Sequence, residues 1–195
     1  MSLAAVILNY NDAGTTIDAA ARVGGFSCVD HVVIVDNASP DESAGRIAAA
    51  LGLLPVKDGE RAGLTGAKDT AEARTAGKKT DQVPAKVWTS GGDLRPRTVL
   101  LLAPKNGGYG YGNNLGVRYA AEVLQASEVL IANPDADMPE ETVGRMQRVL
   151  REDAKTAAVG AVMRESDDAE IRYREYLAAG WRDRTLLQEV LHSGP

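Results

Sequence analysis

With 195 residues and 44% hydrophobic content, the chain can bury a substantial core, and its length suits one domain. Its 22 Lys and Arg against 27 Asp and Glu leave a net charge of −5, which excludes a broad electrostatic grip on nucleic acid or acidic lipid and leaves only a local basic pocket open. The single cysteine, Cys28, excludes an internal disulfide and reads as a small buried hydrophobe, and His31 and His192 are too few for a zinc cluster.

The strand candidates, in chain order, are Leu3 to Leu8, Val32 to Val35, Thr98 to Ala103, Val129 to Ala132 and Ala157 to Val162. Each is apolar on both faces and alternates with helical patterns, which predicts an α/β fold: a mostly parallel sheet with helices on both faces. Ser39 and Glu42 have the spacing of a capping box with Pro40 at the first helical position, predicting a helix from Pro40 to Leu51. From Lys57 to Arg97 large apolar residues are sparse, so 57–97 reads as a mobile insertion with a solvated surface. Val117, Ala120, Ala121 and Leu124 predict an amphipathic helix after a glycine-rich loop. Pro139, Glu140 and Glu141 open another helix, in which Val143, Met146, Val149 and Leu150 form an apolar core stripe. The last part, 168–192, reads as helix packing, with Tyr176 and Trp181 as core or interface. No charged leader precedes an apolar core, and no apolar run approaches the ~18 residues that span a bilayer. The expectation is a single cytoplasmic domain.

The run "KNGGYGYGNNLGVRYA" is the most unusual local feature. Glycines admit positive φ and close backbone approach, and a following helix presents unpaired N–H groups, which suits an anionic ligand. The run fits neither familiar phosphate loop. A P-loop needs Lys and Ser or Thr after its last glycine, where Asn113 and Asn114 stand. A dinucleotide fingerprint needs a third glycine where Asn113 falls.

Sites in open α/β sheets lie beyond the carboxyl ends of the strands. After the first strand comes Asn9-Tyr10-Asn11-Asp12, after the second Asp36-Asn37, and after the fourth Asn133-Pro134-Asp135-Ala136-Asp137. Any one of these polar groups could simply cap a helix. Together, Asp135 and Asp137 supply the one or two carboxylates that Mg²⁺ or Mn²⁺ needs when phosphate and water complete its shell.

"VILNYN", "VVIVDNASPDES", "KNGGYGYGNNLGVRYA" and "VLIANPDAD", in that order, resemble the nucleotide-binding half of family 2 glycosyltransferases, especially the rhamnosyltransferase-like branch. The resemblance covers Leu3 to Val162 and implies a GT-A, Rossmann-like fold. It implies that Asn9 and Tyr10 line a base pocket, that Asp36 binds the nucleoside, and that Asn106, Gly107, Gly110 and Asn113 border a nucleotide sugar. Asp135 would hold a divalent cation, Mn²⁺ or Mg²⁺. Asn133 stands where the family's Asp-x-Asp motif begins, and Asp135-Ala136-Asp137 spells the same motif in a shifted register, leaving the second ligand open.

The implied reaction moves a sugar from a UDP- or dTDP-sugar to the hydroxyl of a glycan or lipid-linked acceptor, with inversion, in cell-wall or polysaccharide biosynthesis. The metal would neutralise the departing diphosphate, and a base would activate the acceptor. The catalytic base is unknown: Glu165, Asp167 and Asp168 follow the last strand candidate but match no motif. Two rival readings stand beside this one, a donor-binding domain lacking an acceptor half and a sugar-nucleotide pyrophosphorylase. The latter would want a basic glycine loop where "NYNDAGTT" stands. Peripheral association with the inner membrane face and a homo-oligomer are both open.

Overall fold

The computed structural model describes residues 1–56, 86–90 and 97–161. The chain divides between Ala136 and Asp137 into two compact units. The first unit contains, in chain order, β1 (Leu3–Asn9), α1 (Ala13–Gly24), β2 (His31–Asp36), α2 (Ser43–Ala50), β3 (Leu54–Pro55), β4 (Lys86–Thr89), β5 (Thr98–Leu102), α3 (Gly108–Glu122) and β6 (Glu128–Ala132).

These strands form one sheet in the order β3-β4-β5-β2-β1-β6. β1 pairs parallel with β2 and β6, and β2 pairs parallel with β5. β4 runs antiparallel to both β3 and β5. The architecture is therefore α/β with a six-stranded, mostly parallel, Rossmann-like sheet. The expected apolar runs form its centre: Val6, Ile7, Val33, Ile34, Val35, Val99, Leu100 and Leu101 are shut off from water. Such strands survive only between two layers, because each face needs an apolar cover.

Period-two alternation sorts the covers. Ala4, Val6, Val33, Val35, Val99 and Leu101 share a cluster with Leu115, Tyr119 and Ala120 of α3. On the other face, Thr16 of α1 hydrogen bonds Asn9 at 2.9 Å, and a Cβ on Gly24 would lie 3.5 Å from Val32 Cγ2. Helices thus cover both faces of the sheet. The β1–α1–β2 and β2–α2 connections run one way across the sheet, whereas β5 returns through α3 to β6 on the far side of β1. The strand order reverses between β1 and β6.

Several expectations are corrected. The glycine run is not a loop ahead of a helix: α3 starts at Gly108. Its buried face is Gly112, Asn113, Leu115, Gly116, Tyr119 and Ala120, while Ala121 is exposed and Leu124 is buried beyond the helix end. The reason is contact distance. A Cβ at Gly116 would fall 2.5 Å from Val6 Cγ1 and 3.0 Å from Val35 Cγ2, so glycine lets the helix backbone rest on β1 and β2. Val117, Ala120 and Leu124 pack against the core as expected, and only Ala121 does not; glycine carries no apolar signal, so the part of the face formed by Gly112 and Gly116 is not visible in the sequence.

α2 starts at Ser43 and not at Pro40, and Glu42 at its N-cap makes no side-chain cap. Ser39 is engaged elsewhere, as described below. Within 57–97, residues Lys86–Thr89 form a strand with Val87 and Thr89 buried, so the stretch is not wholly an insertion; 57–85 and 91–96 lie outside the described residues. Its short alternation, with an exposed lysine, suits an antiparallel strand near a sheet edge. Residues 157–161 form no strand, and Val162 lies outside the described residues. Ala and Gly dominate there, and both are poor strand formers with little area to bury. Cys28 is half-buried.

The second unit is described over 137–161 and contains α4 (Glu140–Glu152). Pro139 is its extended N-cap, and Glu140 and Glu141 lie in the first turn, where the helix dipole favours anions. Of the expected core stripe only Val143 is buried, Met146 and Leu150 are half-buried, and Val149 is exposed. Positions Glu165, Asp167, Asp168, Tyr176 and Trp181 lie outside the described residues. Among the described residues, no helix is long and apolar enough to cross a membrane.

Two predictions follow from the α3 contact. Gly116→Ala should lose about 1–3 kcal/mol in urea unfolding through overpacking, although alanine is the better helix former by about 1 kcal/mol. Gly45→Ala in α2, where a Cβ meets nothing within 4 Å, should gain stability and serve as the control. Tyr119 is buried with its hydroxyl unpartnered, and burial pushes the phenol well above its ordinary range. Below pH ~10 both folded and unfolded chains keep that proton; above it the unfolded chain releases it and the fold does not, so stability falls as pH rises. Tyr119→Phe should match or exceed wild type by up to about 1 kcal/mol at pH 7, with the advantage widening above pH ~10 in urea titrations.

Candidate functional site

The carboxyl ends of β1, β2, β5 and β6 form one rim of the first unit. At its centre, Asn9 and Asp36 are register partners with no exposed surface. Asn9 Nδ2 donates to Asp36 Oδ2 at 2.7 Å and to Ser39 Oγ at 3.2 Å, while Asn9 Oδ1 accepts from Thr16 Oγ1 at 2.9 Å. Asp36 Oδ1 accepts from the Ser39 N–H at 2.9 Å. Both carboxylate oxygens are thus held by the chain itself, as a buried charge requires.

Ser39 joins two loops. Its Oγ also accepts from the Asn11 N–H at 3.0 Å, tying the turn after β1 to the turn after β2. Each turn contains a left-handed residue that is not glycine, Asn11 at φ 57° and Ala38 at φ 57°. Alanine there is strained by about 1 kcal/mol or more, and the Asp36–Ser39 and Asn9–Ser39 bonds hold it in place. Tyr10, between these anchors, is 48% exposed and projects from the rim.

The start of α3 closes the rim on the opposite face. Asn37 is buried, and its Nδ2 donates to Asn106 Oδ1 at 2.9 Å and to the Gly108 carbonyl at 3.2 Å. Asn106 Oδ1 also accepts the Gly108 N–H at 3.0 Å. Gly107 is required because a Cβ there would strike the Tyr111 ring, 2.6 Å from Cδ1, and Gly108 takes φ 84°. Gly110 borders open space within 4 Å. Asn113 is buried and donates to the Tyr109 carbonyl at 3.0 Å, and the Oδ1 atoms of both Asn37 and Asn113 lack partners. The N–H groups of this first turn have no intrahelical acceptor, so the turn is electropositive.

At the β6 end, the loop turns through a bond from the Ala136 N–H to the Asn133 carbonyl at 3.2 Å, and Arg22 of α1 donates to the Ala136 carbonyl at 2.8 Å. Tyr109 reaches across from α3, its hydroxyl donating to Asn133 Oδ1 at 2.7 Å. Asp135 is exposed, with no hydrogen-bond or ion-pair partner. Asp137 is exposed and belongs to the second unit.

The structure therefore gathers Asn9, Tyr10, Asp36, Asn106, Gly107, Gly110, Asn113, Asn133 and Asp135 on one rim. It divides them by role. Asn9, Asp36 and Asn113 are buried and hold loops; Tyr10, Asn106, Gly110, Asn133 and Asp135 have surface that a ligand can touch. Thr16, Asn37 and Tyr109 complete the arrangement; the sequence marks Asn37 by its place after β2, whereas Thr16 lies inside a helix and Tyr109 inside a glycine run, and neither is marked. Among the described residues no group of three or more His, Cys, Asp or Glu could hold a metal. A lone exposed carboxylate suits a cation that arrives with a diphosphate, because Mg²⁺ keeps its waters and takes most protein charge from one or two carboxylates. No protein-family model matches the chain, and no curated protein sequence is significantly similar to it.

If Asp36 is a buried anchor, Asp36→Asn should destabilise the fold by about 2–3 kcal/mol in urea titrations despite its identical shape. Both oxygen positions receive donors, so one donor must face the new amide N–H. Unchanged stability would assign Asp36 to ligand contact alone.

Proposed function

We propose that the first unit binds a nucleoside-diphosphate sugar at this rim and that the protein is a glycosyltransferase of GT-A type. The observation that carries the reading is convergence: four segments distant in sequence meet at the carboxyl edge where the strand order reverses, the place where open α/β sheets bind ligands. An exposed aromatic ring, an electropositive helix start and an unpaired carboxylate lie on that edge together. They match the three parts of the donor, respectively a flat base, a diphosphate and its accompanying cation.

In this reading Tyr10 stacks on the base, positioned by the Asn9–Asp36–Ser39 network. The open side of Gly110 and the first turn of α3 face the diphosphate and sugar. Asp135 holds Mn²⁺ or Mg²⁺ against the diphosphate, with Asp137 as the alternative in the shifted motif. The cation, when bound, offsets the charge that develops on the departing nucleoside diphosphate. The acceptor, a glycan or lipid-linked hydroxyl, attacks the anomeric carbon from the opposite side, and the base that takes its proton is unassigned. UDP- and dTDP-sugars are the first donors to test.

Calorimetric titration of UDP-, dTDP- and GDP-sugars, with and without Mn²⁺, tests the proposal. Wild type should bind at least one of them more tightly with Mn²⁺. Asp135→Asn, which keeps the shape and removes the charge, should fold normally by circular dichroism and lose that metal-dependent gain. A full metal response in the variant would remove Asp135 from the site, and no binding to any donor would overturn the reading.

A further inference from the structure

The Tyr109–Asn133 bond joins the first turn of α3 to the loop after β6, so it spans the point where strand order reverses. Its direction matters. Asn133 Oδ1 accepts the Tyr109 hydroxyl at 2.7 Å, which fixes the amide so that Nδ2 points the other way. Asn133 is partly exposed, and its Nδ2 makes no hydrogen bond. Two residues on stands the exposed, unpaired carboxylate of Asp135, within the turn closed by the Ala136 N–H to Asn133 carbonyl bond. Tyr109 spends its hydroxyl on this bond although 58% of its own surface is exposed. An exposed ring gains little burial by being held, so the bond's effect falls on Asn133.

We infer that Tyr109 is a positioning residue that presents the Asn133 amide as a hydrogen-bond donor, and that this donor binds a phosphate oxygen of the ligand. The inference rests on the nucleotide-binding reading and deepens it. A carboxylate in place of Asn133 could only accept, and would suit a ligand hydroxyl or a second cation contact. An amide whose oxygen already accepts from Tyr109 turns its N–H groups the other way, so it offers two donors outward. Beside Asp135 the outward N–H groups favour an anionic acceptor that Asp135 alone would repel, unless a cation intervenes. The orphaned Oδ1 atoms of Asn37 and Asn113 are buried behind the first turn of α3 and take no part in this contact.

The probes are UDP, inorganic pyrophosphate and uridine, titrated calorimetrically with and without Mn²⁺; Asn133→Asp is compared with wild type without it, where a carboxylate at position 133 gains no cation contact. Asn133→Asp keeps an acceptor for the Tyr109 hydroxyl, so it should unfold in urea as wild type does. UDP and pyrophosphate affinity should fall roughly ten- to hundredfold, the loss of a hydrogen bond to a charged group, while uridine affinity stays within about twofold. Tyr109→Phe keeps the ring and frees the amide, and should weaken UDP about three- to tenfold with uridine again unchanged. Equal losses for UDP and uridine would show that the pair shapes the base site and would overturn the inference, as would undiminished pyrophosphate binding in Asn133→Asp. Failure of wild type to bind all three probes would overturn the nucleotide reading itself, an outcome separate from binding without discrimination.

Discussion

A carboxylate with no access to water must draw its hydrogen bonds from its own chain, and Asp36 sets that requirement at the centre of the rim. Asn9 meets one oxygen from the neighbouring strand and Ser39 meets the other from the following turn. Neither donor is free to move without stranding the charge. Because Asn9 is also fixed by Thr16, the requirement runs on into α1. Two strands, one helix and two turns therefore share a single polar network, and the left-handed geometry of Asn11 and Ala38 is a cost that the network sustains.

The opposite face is governed by contact distance. Gly112 and Gly116 let α3 lie directly on β1 and β2, with Leu8, Val6 and Val35 beneath them. That descent brings the first turn of α3 level with the ends of the strands, where Asn37 and Asn106 grip Gly108. Were the helix held farther off by side chains, Tyr109 would not meet Asn133. A choice of glycine made in the core thus fixes the position of an exposed ring at the surface.

The parts of the fold carried by hydropathy were legible. The four parallel strands declare themselves because burial on both faces leaves unbroken apolar runs, and their polar successors point to the rim by elementary topology. What escaped notice is carried by contact and pairing. The strand Lys86–Thr89 has one lysine and one tryptophan among four residues and becomes a strand only because β5 offers it an edge. The Ser39–Glu42 spacing has the form of a helix cap, but Ser39 finds better partners in Asn9 and Asn11. In the rim itself, the family resemblance implied ligand roles for Asn9 and Asp36; their polarity was plain, and the fold adds what sequence does not display, that both are buried and bonded within the chain. Tyr109 and Thr16 needed the fold, since each acts on a residue far along the chain.

The reversed direction of β4 has an effect at the rim. A further parallel strand beside β5 would bring its last residue there, but β4 brings its first, so Lys86 stands in register with Leu102, itself in register with Asp36. Lys86 is exposed. Adjacent strands lie about 4.8 Å apart, so four steps, roughly 19 Å, separate the lysine at β4 from the end of β6 that carries Asp135. The separation of these two exposed, oppositely charged side chains is therefore set by the direction of a single strand.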